Sequence, residues 1–138
     1  MTYATQSDMI SRFGQDEIQN LTDRNNAGMI DVSVLGMALA DADATINGYL
    51  AGRYILPLSV VPAALVKRAA DLARYYLFGL QAPDLVKSNH DDALVWLKQV
   101  NTGIIELGIE QQTLAAESSG ISVQSNTRIF SASTLSDY

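Results

Sequence analysis

The strongest constraint in this chain is a hinge, Leu50-Ala51-Gly52-Arg53-Tyr54-Ile55-Leu56-Pro57-Leu58, flanked by two long helical patterns. The first arm runs from about Asp31 to Arg53. In it Leu35, Leu39, Ala42, Ile46 and Leu50 recur every three or four residues, which places them on one helical face. The second arm runs from about Pro62 to Leu80, with Leu65, Ala69, Leu72, Ala73, Tyr76 and Leu77 as its apolar face. Lys67, Arg68, Asp71 and Arg74 fall largely off that face. Pro62 suits a first helical turn, where its missing N–H has no partner to lose. Gly79 and the Ala82-Pro83 step end the arm. Pro57 and Pro62 bracket a short extended segment, so the two helices are expected to fold back as an antiparallel hairpin.

The first arm carries a second row. Gly36, Ala40, Ala44, Gly48 and Gly52 follow at intervals of four and are all small. An interior helical glycine costs roughly 1 kcal/mol relative to alanine, so two of them ask for a reason. A ridge of small side chains admits a second helix at close range, with a crossing angle of about −50°. The row is therefore expected to seat a helix, from the same chain or from a neighbouring copy.

Composition narrows the functional classes. With 138 residues the chain forms one domain with a modest core. No stretch reads as a secretory h-region or as an apolar run long enough to span a bilayer, so no membrane association is expected. There is no cysteine, which rules out disulfides and thiolate metal sites and fits a reducing compartment. The net charge is −6 with no basic block. Sequence-independent nucleic-acid binding depends on Lys and Arg neutralising phosphates, so no specific nucleic-acid binding is expected.

Before the hinge, Thr5-Gln6-Ser7-Asp8 reads as a helix start, with Thr5 or Ser7 as the cap and Asp8 favourable in the first turn. Gly14 stops that helix, and a second short one runs from Asp16 to Leu21. Both are too short to stand alone and must pack on the hairpin. The stretch Asp23 to Asp31 resembles half of an EF-hand loop, with Asp23, Asn25 and Asp31 as oxygen ligands and Gly28 at the sharp turn. Ala27 and Val34 occupy ligand positions, and Val34 stands where a bidentate Glu closes the shell. The favoured reading is a turn in which Asn and Gly supply left-handed positions and Asp31 caps the next helix. No metal site is assigned.

After Pro83 a third substantial helix is expected, from Asp84 or Ser88 to about Asn101. Leu94, Leu97 and Val100 line one face with Trp96 beside it, and Gly103 is the stop. His90 is the single histidine. Without converging ligands or a nucleophile it reads as part of a solvated helix start. Asp41 and Asp43 are two apart on a helix and do not face each other, so they form no proton-sharing dyad. No catalytic residue and no cofactor are expected.

The composition changes at Glu110. Residues 110–138 are rich in Ser, Thr, Gln and Asn, too poor in apolar surface to offset the entropy of ordering alone. Ile129, Phe130, Leu135 and Tyr138 are nonetheless apolar anchors. Two readings stand: an extended arm that orders on a partner, or a frayed terminus. The expected layout is an all-α domain over 1–109 around the long hairpin, with a flexible or extended arm over 110–138.

A resemblance adds to this. Tyr3-Ala4-Thr5, Arg12-Phe13-Gly14, Leu21-Thr22-Asp23-Arg24, Ile46 to Tyr54 and Leu56-Pro57-Leu58 follow in order. Together they look like a family of Mu-like phage and prophage proteins encoded among virion structural genes. The resemblance spans roughly Tyr3 to Val100, and Arg128-Ile129-Phe130 is similar to that family's tail. The family has no known catalytic residues to transfer. Its size and helical plan resemble the head-to-tail adaptors of long-tailed phages, which assemble as a ring beneath the portal. The resemblance implies a virion structural protein that forms a homo-oligomeric ring and contacts the portal protein and a tail or head-closure protein. Gly48, Gly52, Arg53, Tyr54, Arg128, Ile129 and Phe130 are its expected interface residues. Asp41 and Asp43 on one subunit are expected to meet Lys67, Arg68 and Arg74 on the next. The alternative is a small regulatory or calcium-responsive module built on the 23–31 loop.

Overall fold

The computed structural model describes residues 1–109, and over that range the chain is all-α. Helix α1 spans Gln6–Phe13 and α2 spans Gln15–Thr22. Helix α3 spans Val32–Leu50, α4 spans Ala63–Phe78 and α5 spans Asp84–Asn101. A 3₁₀ turn, Gly79–Gln81, follows α4.

The helix ends follow local chemistry. The Thr5 hydroxyl accepts from the Asp8 amide while the Asp8 carboxylate accepts from the Thr5 amide, a reciprocal capping box that satisfies two orphan donors. Gly14, at φ +93°, turns the chain from α1 into α2. One Asp31 carboxylate oxygen accepts from the amides of Ser33 and Val34, as expected of a cap. Helix α3 ends at Leu50, the last residue of its apolar repeat, and Ala51 to Arg53 form a turn, so the helix stops short of the expected end at Arg53.

Helix α4 is the hub and packs against α1, α2, α3 and α5. Leu65, Ala69, Ala70, Asp71, Leu72, Ala73 and Leu77 are all buried, so most of its circumference is covered. The sequence pattern suggested a single apolar face. The three buried alanines explain the difference, since they leave room for neighbours on several sides. Val34 and Ala38, early in α3, share a cleft with Tyr76 and Leu77, late in α4. The two helices therefore run in opposite directions. Leu35, Ala42, Ile46 and Leu50 are buried as expected. Ala38 takes the core position that Leu39 was expected to hold, and Leu39 is only half-buried. Full burial of a leucine contributes about 1.5–3 kcal/mol, so Leu35, Leu50, Leu65, Leu72 and Leu97 are major stabilising contacts.

The short N-terminal helices are tied to this frame by long-range polar contacts. Arg74 of α4 donates through Nε and Nη2 to both carboxylate oxygens of Glu17 in α2, at 2.7 and 2.8 Å. Its guanidinium also lies 4.3 Å from the centre of the Phe13 ring. Tyr3 is 2% exposed; its amide donates to Asp43 at 2.9 Å and its hydroxyl donates to Asn47.

Candidate functional site

The hinge is held from both sides. The amides of Arg53 and Tyr54 both donate to the Leu50 carbonyl, closing the turn after α3. Leu50, Tyr54 and Leu58 point into the core, and Tyr54 is 4% exposed. The Tyr54 hydroxyl accepts from the Leu107 amide at 3.2 Å. Arg53 lies over Gly103, and its Nη2 is 3.9 Å from the Glu106 carboxylate. The hinge thus contacts the stretch that follows α5. Both residues are engaged within the chain, Tyr54 buried and Arg53 with a side chain 21% exposed.

The small-residue row of α3 faces outward. Gly36, Ala40, Ala44, Gly48 and Gly52 are all exposed. Among the described residues a Cβ added at Gly36 or Gly48 meets nothing within 4 Å, and at Gly52 it meets only Asn101 Oδ1 at 3.5 Å. The expectation that a helix of the same chain seats here is overturned among the described residues, because α3 turns its Leu35–Leu50 face to α4 instead. With Met37, 67% exposed, the row gives α3 an outer surface nearly free of charge, broken by Asp41.

The charges expected to meet between subunits are mostly engaged within the chain. Arg74 holds Glu17, Lys67 holds Asp71 at 2.8 Å, and Asp43 holds the Tyr3 amide. Arg68 lies 5.2 Å from the centre of the Trp96 ring. Asp43, Lys67 and Arg74 thus each have a partner within the single chain. The burial of Asp71, 5% exposed, was not legible as an interior position. Its one signal was Lys67, four residues away on the same helix.

The 23–31 loop is folded by its own carboxylates. Asp23 accepts from the amides of Ala27 and Gly28, each at 2.7 Å, one on each oxygen. The buried Thr22 hydroxyl accepts from the Asp31 amide at 3.1 Å and donates to the Ile18 carbonyl. Asn26 and Gly28 take left-handed φ values of 56° and 78°, the turn geometry expected of them. Asp23 and Asp31, the two charged candidate ligands, both serve backbone N–H groups. Among the described residues no group of three or more His, Asp or Glu side chains is placed to hold a metal ion.

His90 is not part of a solvated helix start, which corrects the expectation. It stacks on Tyr75 with ring centres 3.9 Å apart, meets Tyr76 edge-on, and its Nδ1 is 3.0 Å from Asp91. Tyr76 in turn shares a 3.0 Å hydrogen bond with Thr45 of α3. The cluster joins α3, α4 and α5, and nothing in the sequence spacing of His90 pointed to Tyr75. Burial, and then the nearby Asp43 carboxylate, raise the Tyr3 phenol above its ordinary value. Among the described residues no helix is long and apolar enough to cross a membrane. Arg128, Ile129 and Phe130 lie outside the described residues.

Comparison with known proteins gives consistent matches over most of the chain. A family model described as Bacteriophage Mu, Gp36 matches residues 3–125. Gene product J of Escherichia phage Mu is 37% identical over 134 residues, covering 95% of each chain. The Mu-like prophage FluMu protein gp36 of Haemophilus influenzae is 34% identical over 116 residues, covering 84% of this chain and 82% of the relative.

Proposed function

Because the chain belongs to the bacteriophage Mu Gp36 family, we propose that it is a non-enzymatic structural protein of the virion. In this reading it is a head-to-tail adaptor that assembles as a ring between the portal and the tail or head-closure protein. The observation that carries the proposal is the outer face of α3, where Gly36, Ala40, Ala44 and Gly48 are exposed in a continuous row. A helix of a neighbouring copy fits such a ridge at close range, and a heterologous contact of this kind closes into a ring when its rotation permits. Gly52 extends the row toward the hinge.

The chemistry of the interior agrees with a building element. Its polar clusters join helices: Glu17 to Arg74, Tyr3 to Asp43 and Asn47, and Thr45 to Tyr76. Arg128, Ile129 and Phe130 are proposed as the arm's contacts with a neighbour or the portal. The test is co-expression with the portal protein followed by electron microscopy of the purified complex. A ring of this protein on the portal supports the proposal. A portal that purifies free of it, with this protein remaining monomeric at high concentration, opposes it.

A further inference from the structure

We propose that Arg53 and Tyr54 form a clasp that holds residues 103–107 against the helical domain. The two residues are consecutive and lie in the middle of the hinge, yet each acts on a different part of the stretch after α5. Tyr54 is buried, and its hydroxyl accepts the Leu107 amide at 3.2 Å. Arg53 presses its guanidinium on Gly103, where an added Cβ would lie 2.9 Å from Nη1 and 3.0 Å from Cζ. Gly103 also has φ +87°, so glycine is required there both by backbone conformation and by space.

The stretch between these contacts is laid back over the domain. The Gly103 amide donates to the Val100 carbonyl and the Ile105 amide to the Gln99 carbonyl, which reverses the chain as it leaves α5. Leu107 then packs partly buried against the core. Arg53 Nε is buried with no hydrogen-bond partner among the described residues, and the Glu106 carboxylate is 3.9 Å from Nη2 and largely exposed. Steric fit on Gly103, rather than charge pairing, is thus the principal hold of Arg53, since so exposed an ion pair contributes little. The clasp joins the α3–α4 hinge to the end of α5, and Gly108 and Ile109 line one cavity with Ser59 and Val60. The clasp is a property of the single chain and stands whether or not the ring forms.

Amide hydrogen exchange on the full-length protein tests it. Tyr54→Phe keeps the buried ring and removes only the hydroxyl. The Leu107 amide is expected to exchange roughly fivefold faster, as for the loss of one ordinary hydrogen bond, with α4 amides unchanged. Gly103→Ala is expected to raise exchange at residues 104–107 by displacing Arg53, again leaving α4 protected. Unchanged exchange over 104–107 in both variants overturns the clasp. So does a uniform rise across α3, α4 and α5, which would mean that these residues act only as general core.

Discussion

Arg74 and Glu17 form a two-pronged ion pair across helices that are distant in sequence, with contacts of 2.7 and 2.8 Å. The pair is partly covered, at 17% and 29% side-chain exposure, and Arg74 also caps the Phe13 ring. It is the main polar tie between α2 and the hub helix. Arg74→Lys keeps the charge but loses the planar fork and the stacking. It is expected to cost about 1–2 kcal/mol, read as a lower urea midpoint with an unchanged slope. Glu17→Gln at similar cost, with the double variant less than additive, confirms that the two act as a pair.

Gly48→Leu separates folding from assembly. Among the described residues a Cβ at Gly48 meets nothing within 4 Å, and leucine favours helix over glycine. The isolated domain should therefore keep its melting temperature or gain up to about 1 kcal/mol of stability. Incorporation into particles or portal complexes should fall sharply, because the bulk lands on the ridge. A variant that assembles like the parent removes the α3 row from the proposed interface.

Stability should depend on Tyr3 at alkaline pH. Its phenol is raised above the ordinary value of 10.0 by burial and by Asp43. A group whose folded pKa is raised contributes stability that is complete below its unfolded pKa and lost as pH rises through the folded one. Stability should therefore decline above about pH 10, and Tyr3→Phe should flatten that decline. Thermal melts of both proteins between pH 8 and 11, each midpoint taken relative to its own pH 8 value, give the comparison.

The 23–31 loop should behave as a turn. Asp31→Ala removes the cap of α3 and is expected to cost about 0.5–2 kcal/mol. Because Asp23 and Asp31 serve backbone amides, micromolar calcium should leave the melting temperature of the parent protein unmoved. A rise of several degrees would restore the calcium-responsive reading.

Local signals made much of this fold legible. Thr5 with Asp8, Asp31, Pro62, Gly79 and Gly103 marked helix ends because caps and breakers act within a few residues. The core stripe of α3 was legible in its period, apart from the exchange of Leu39 for Ala38. What periodicity lacks is the partner. Arg74 looked like a surface charge until Glu17 was brought beside it, and His90 looked solvated until Tyr75 of α4 covered its ring. The sequence places Tyr54 in the hinge, and its hydroxyl has a use only after the chain returns from α5. The outward direction of the Gly36–Gly48 row was likewise undetermined, since a helix with two apolar stripes does not say which one its own chain will cover.

Cryo-electron microscopy of particles assembled with this protein bears most directly on the central claim. The account predicts a ring of the five-helix domain at the neck, with the α3 outer face buried against the adjoining copy. Well-resolved necks whose density contains no such domain, in particles that also lack the protein by mass spectrometry, would contradict it.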